Sequence, residues 1–97
     1  MFKIGLNDNG EVAVSGRLDA AQAEKAQDFL DTVTDNCVLD LQGLEYISSA
    51  GLGVLLRTHK RLMGSQSGLE LVNVNKHIGD IFRYSGFDKL FVVRAAQ

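Results

Sequence analysis

The stretch VLDLQGLEYISSAGLGVLL, Val38–Leu56, decides how this chain is read. Its first part belongs to a short, nearly continuous apolar run, Cys37–Leu44, of the kind expected of a strand covered on both faces. Two adjacent serines follow, Ser48 and Ser49, and then the small-residue passage Ala50-Gly51-Leu52-Gly53. Beyond it Leu52, Leu55, Leu56, Leu62 and Met63 fall on one helical face, with Gly64 as the stop. A strand therefore hands over to a helix at the two serines, the kind of junction where open α/β sheets gather functional groups.

Outward from that junction the pattern alternates between strand and helix. FKIGLN (residues 2–7) places Phe2, Ile4 and Leu6 on one side, and EVAVSGRL (residues 11–18) alternates again across the turn signal Asp8-Asn9-Gly10, so the chain opens with a β-hairpin. Asp19 precedes a helix whose stripe is Ala23, Ala26, Leu30 and Val33, with Gln22 placed as the partner in a capping box. LELVNV (Leu69–Val74) is a strand. Asn75 caps a third helix carrying Ile78, Ile81 and Phe82, which Gly86 ends, and LFVV (Leu90–Val93) is the last strand. The order β-β-α-β-α-β-α-β implies right-handed crossovers and a mixed, mostly parallel sheet with helices packed against it.

Composition bounds the function. With 97 residues, 45% of them apolar, the chain has one core and is read as one domain over 1–97. A formal charge of −2 with scattered Lys and Arg gives no footprint for nucleic acid. The single cysteine, Cys37, allows no internal disulfide, and no apolar stretch is long enough for a membrane span; the expected setting is the cytoplasm. The FKIGLN edge is free to pair with a second copy, but nothing demands it, so a monomer or weak dimer is expected.

Several chemistries are tested by the serine–glycine junction and fail. A phosphate-binding loop needs Lys after the glycines, where Val54 and Leu55 stand. A dinucleotide fingerprint lacks its third glycine, and a nucleophile elbow lacks its first. His59 lies two turns into the helix and His77 opens the next one, so neither reaches the serines as a base; with Cys37 they match no zinc spacing. The expectation is therefore no enzyme, cofactor or metal. Two readings of the serines remain. In one, Ser48 caps the helix and Ser49 fills its first turn. In the other, a serine is a phosphorylation switch, because a helix start tolerates a phosphoryl group.

The run VLDLQGLEYISSAGLGVLL followed by HKRL strongly resembles the STAS domain of bacterial anti-sigma factor antagonists. VSGRLDAAQAEKAQDFL (residues 14–30) and LELVNVNKHIGDIFRYSGFDKLFVV (residues 69–93) extend the resemblance in the right order. It implies a protein that binds an anti-sigma factor serine kinase while unphosphorylated and so frees a sigma factor. ATP-dependent phosphorylation of a serine at the start of the second helix ends the binding, and a PP2C-type phosphatase reverses it. By position that serine is Ser49, with Ser48 as the alternative acceptor; Asp19, Ser48, Ser49, Gly51, Leu52 and Gly53 are the implied partner-binding positions. Two departures stand out: Ser48 replaces the family's frequent Asp, and only Arg-Ala-Ala-Gln follows the last strand, where a fourth helix is usual. A rival within the fold is an unphosphorylated accessory subunit of a transporter or lipid-trafficking ATPase complex.

Overall fold

In the computed structural model, which describes residues 1–95, six strands form one mixed sheet. β1 (Lys3–Leu6) pairs antiparallel with β2 (Val12–Leu18), from Lys3 opposite Ser15 to Leu6 opposite Val12. The hairpin closes where the Asn7 side chain accepts N–H bonds from Asn9 and Glu11, with Gly10 at φ +77°. The remaining pairs are parallel: β2 with β3 (Cys37–Asp40), β3 with β5 (Leu69–Val74), and β5 with β6 (Val92–Ala95). Helices α1 (Ala23–Leu30), α2 (Ser49–Met63) and α3 (Lys76–Ser85) alternate with the parallel strands, as expected.

One expectation is corrected in the deciding stretch. The apolar run of residues 37–44 is not one strand. It breaks at Leu41-Gln42-Gly43 and resumes as β4 (Leu44–Ile47), which also pairs with β2. Local bonds make the break: Leu44 N–H donates to the Leu41 carbonyl at 3.0 Å and Gln42 N–H to Asp40 Oδ1 at 3.0 Å. Gly43 passes so close to β2 that a side chain there would stand 2.7 Å from Ser15 Cβ. The first half of β2 thus serves β3 and the second half serves β4, with a bulge between Gly16 and Arg17. A bulge bends and further twists its strand, which lets one strand serve two neighbours.

Alternation along β2 buries Val12, Val14 and Leu18 and leaves Ala13, Ser15 and Arg17 on the other face. Leu39, Leu41, Leu44, Ile47, Leu69, Leu71 and Val74 join the buried side, against Ala26, Leu30, Val54, Leu55, Leu62, Ile78 and Phe82 of the helices. Each buried Val, Leu, Ile or Phe side chain among these contributes about 1.5–3 kcal/mol by leaving water. Met63, expected on the apolar face of α2, is instead 57% exposed at the helix end, where the stripe has turned away from the sheet. Leu6, expected inward, is 72% exposed at the end of β1, an edge strand of the sheet.

α1 also begins later than expected. Gln22, not Asp19, occupies the cap position, with no side-chain cap bond. The end of β2 is fixed by Ser48 N–H donating to the Leu18 carbonyl at 3.0 Å, so the chain spends Asp19–Gln22 on a turn before the helix starts. α1 ends at Leu30, and Val33 packs on the core from the following turn. α2 holds that end: Arg61 Nη2 donates to the carbonyls of Leu30 and Val33 at 2.9 and 2.8 Å. Between the two helices Gln27 Nε2 donates to the buried Thr58 hydroxyl at 3.2 Å.

α3 keeps its expected caps. Asn75 Oδ1 accepts from Ile78 N–H at 2.9 Å while its Nδ2 donates to the Leu44 carbonyl at 3.0 Å, and Gly86 closes the helix at φ +78°. A 3₁₀ turn (Phe87–Lys89) then delays the last strand, so Leu90 and Phe91 precede β6 rather than opening it. The expectation about a fourth helix falls beyond Ala95, outside the described residues.

Candidate functional site at the start of the second helix

Ser48 leaves β4 in extended conformation (φ −93°, ψ 176°), and its Oγ accepts from Gly51 N–H at 3.3 Å. Its carbonyl takes the first intrahelical bond, from Leu52 N–H at 2.9 Å. Ser48 is therefore the helix cap, and its hydroxyl is engaged. Ser49 is the first residue inside the helix; it is exposed, and its hydroxyl bonds nothing among the described residues. The first turn holds no acidic residue, so no side chain of the helix itself complements the free N–H groups and the dipole of these 15 residues. Lys60 and Arg61 complement the opposite end.

Sheet register brings Asp19 to the same place. Leu18 pairs with Ile47 and accepts from Ser48 N–H, so the next residues, Asp19 and Ser48, leave the sheet side by side. Asp19 Oδ1 is buried and has no hydrogen-bond partner among the described residues. An orphaned buried carboxylate oxygen is uncommon, since such an atom normally keeps a partner to offset lost hydration.

The two glycines differ. Gly51 is buried, and a side chain there would meet Ile47 Cγ1 at 2.7 Å and the Leu18 carbonyl oxygen at 2.8 Å. Its missing side chain lets α2 lie against the ends of β2 and β4. Gly53 and Leu52 are half-buried, and a side chain at Gly53 would meet only the far end of Arg57, at 3.1 Å. Among the proposed contact positions, Ser49, Leu52 and Gly53 are thus reachable from solvent, whereas Gly51 supports them from beneath.

One pair escaped the sequence reading. Arg17 and Tyr46 stand opposite each other in register, and the Arg17 guanidinium lies 4.3 Å over the Tyr46 ring centroid. The alternation of VAVSGRL marks Arg17 as outward-facing, but its pairing depends on a non-local parallel register that no local pattern reveals.

The other reactive residues belong to the scaffold. His59 Nδ1 accepts from Leu69 N–H at 3.1 Å, and its ring meets Phe91 edge-on at a centroid distance of 4.7 Å. His77 is exposed in the first turn of α3. Cys37 is buried, and burial pushes its thiol above the ordinary value of 9.0, so it remains a neutral core side chain. Among the described residues no group of three His, Cys, Asp or Glu is placed to hold a metal ion, and no helix is long and apolar enough to cross a membrane. Two open clefts, of about 640 and 720 Å³, lie beside α3 and around His59, and neither is lined by Ser48 or Ser49. The helix start is thus an open surface carrying a free hydroxyl.

The family model described as "Mlab, STAS domain" matches residues 4–94, and the chain belongs to the STAS domain family. BtrV of Bordetella bronchiseptica, named as an anti-sigma factor antagonist, is 38% identical over 84 residues, covering 82% of this chain and 72% of BtrV. The anti-sigma-B factor antagonist of Listeria monocytogenes is 30% identical over 94 residues, covering 93% and 82% of the two chains. Among solved structures, an anti-sigma factor antagonist from Mycobacterium paratuberculosis superposes with a TM-score of 0.80 at 25% identity, covering 97% of this chain and 84% of that one. The Bacillus cell fate determinant SpoIIAA in its phosphorylated form shares the fold, with a TM-score of 0.68 at 18% identity and coverage of 96% and 90%.

Proposed function

We propose that this chain is an anti-sigma factor antagonist, a non-catalytic cytoplasmic module that docks on an anti-sigma factor serine kinase and so releases a sigma factor. Binding belongs to the unphosphorylated form. Transfer of the γ-phosphoryl of ATP to Ser49 ends it, and a PP2C-type phosphatase restores it. The observation that carries this reading is the division of labour between the serines: Ser48 is engaged as the cap, while Ser49 presents a free hydroxyl on an open surface. The names of the relatives support the partner class, and the phosphorylated form of SpoIIAA supports a phospho-switch on this fold.

The physics of the switch follows from the site. A phosphoserine carries about −1.5 to −2 charge at pH 7, which a helix start with no acidic residue in its own first turn accepts without loss of fold. In a closed interface the same group loses hydration next to Asp19, an acidic side chain whose Oδ1 is itself buried without a partner among the described residues. A buried charge without a partner costs on the order of 3–5 kcal/mol. That lowers affinity by at least about a hundredfold.

Incubation with ATP and the cognate kinase, followed by mass spectrometry, should place phosphate on Ser49. In titration calorimetry Ser49→Ala should bind the kinase as the unmodified protein does, and Ser49→Asp much more weakly. Equal affinities for the two variants would refute the switch. The matching family model is described as Mlab, and this favours a second reading: an unphosphorylated accessory subunit of a transporter or lipid-trafficking ATPase complex. Absence of phosphate incorporation with every anti-sigma kinase of the organism decides for that reading.

A further inference from the structure

The chain has five arginines, and four of them are tied by polar bonds within the fold. Arg57 donates to Gln27, Arg61 to the carbonyls of Leu30 and Val33, Arg83 pairs with Asp80 and Arg94 with Glu70. Arg17 is different. It is exposed, and among the described residues it makes no hydrogen bond or ion pair; its one contact of note is the Tyr46 ring beneath it. A guanidinium stacked on an aromatic face keeps its N–H edge free and loses part of its rotational freedom before any ligand arrives. That edge is a planar fork matched to a carboxylate.

Its place gives this meaning. Arg17 is two residues before Asp19 on β2, and Tyr46 is two before Ser48 on β4, so the pair lies on the open face of the sheet and runs up to the serine-bearing helix start. We infer that Arg17, held over Tyr46, docks a carboxylate of the anti-sigma partner and extends the Ser49 surface onto the open face of the sheet. The inference rests on the proposed function for the identity of the partner. Arginine and tyrosine are the residue types enriched among the anchors of protein interfaces. The guanidinium is already stacked in the unphosphorylated chain, the form proposed to bind. Asp19 is only half-exposed and its Oδ1 is buried, so the full charge that this end of β2 shows a partner is the Arg17 guanidinium, which favours a partner carboxylate.

The test uses the full chain and the anti-sigma kinase of the same organism that binds it most tightly, by calorimetry at two salt concentrations. Arg17→Gln should weaken binding roughly 10- to 100-fold, as loss of a charge-assisted bidentate pair does. Arg17→Lys should recover only part of it, because lysine lacks the fork. Tyr46→Leu should weaken binding less, with the urea midpoints of the Arg17 variants unchanged. Among single Asp→Asn and Glu→Gln substitutions on the kinase, one should reproduce the Arg17→Gln loss and add nothing when combined with it. Wild-type affinity for Arg17→Gln, with Ser49→Asp still weakened, overturns this inference and leaves the proposed function standing. So does an Arg17→Gln effect confined to the phosphorylated protein, which would make the phosphoserine its ligand. Wild-type affinity for Ser49→Asp with weakened Arg17→Gln supports the docking site and refutes the switch. No binding by the wild type refutes both.

Discussion

Alanine at Gly51 and alanine at Gly53, two residues apart in the first turns of one helix, are expected to change stability in opposite directions. At Gly51 the new Cβ would stand 2.7 Å from Ile47 Cγ1, 2.8 Å from the Leu18 carbonyl oxygen and 2.9 Å from Leu18 Cγ. That carbonyl cannot retreat without giving up the 3.0 Å bond it accepts from Ser48 N–H, so the helix start has to lift off the strands. Overpacking of this kind costs about 1–3 kcal/mol, offset by up to about 1 kcal/mol because alanine is the better helix former. The net loss is about 1–2 kcal/mol, or roughly 5–15 °C in Tm for a domain of this size. At Gly53 the new Cβ meets only the far end of Arg57, Nη1 at 3.1 Å, an exposed side chain that has to give by only a few tenths of an ångström. The helix-propensity gain then dominates, and stability should rise by about 0.5 kcal/mol. Urea unfolding followed by far-ultraviolet circular dichroism separates the two. A Gly51→Ala midpoint equal to that of the wild type, or an equal loss at both positions, would show that helix–strand contact at this end is looser than described.

Three further outcomes follow from the caps and the core thiol. Ser48→Ala removes the cap bond to Gly51 N–H and should cost about 1 kcal/mol, whereas Ser49→Ala should stay within about 0.5 kcal/mol of wild type; equal urea midpoints for the two variants would contradict the assigned roles. Asn75→Ala loses both the α3 cap and the bond to the Leu44 carbonyl, so a loss of about 1–3 kcal/mol is expected, and a loss matching Ser48→Ala would show that the second bond contributes nothing. Cys37 gives a pH dependence. Its folded thiol is raised by burial, so its contribution to stability is complete below the ordinary value of 9.0 and falls as pH climbs from there, where the unfolded chain ionises first. The stability difference between wild type and Cys37→Ala should be flat from about pH 6 to 8 and shift against the wild type above about pH 9; a flat difference to pH 10 would refute a buried thiol.

The fold was legible where its signals are local. Asp8-Asn9-Gly10 marks a hairpin, Ser48 and Asn75 mark helix starts and Gly86 marks a helix end, because each acts through bonds spanning only a few residues. The break at Leu41-Gln42-Gly43 was not legible. The local bonds that make it use groups the run would carry whether or not it is bent, and the close approach of Gly43 that accompanies it is to Ser15 on another strand. Asp19 followed three residues later by Gln22 reads as a capping box, yet the hydrogen bond holding the end of β2 overrides that local preference. Within the site, the serines announced themselves by composition, whereas the meeting of Arg17 with Tyr46 depends on the register between strands nearly thirty residues apart.

Arg61 gives the module a mechanical property. α1 has only eight residues, too few for a helix to persist on its own, and its final carbonyl and that of Val33 in the following turn are bonded by a side chain from α2. The two helices therefore open together, and their amide hydrogens should exchange with solvent as one block. A partner that grips the Ser49 end of α2 would slow exchange along α1 as well, reporting docking at a distance from the contact itself.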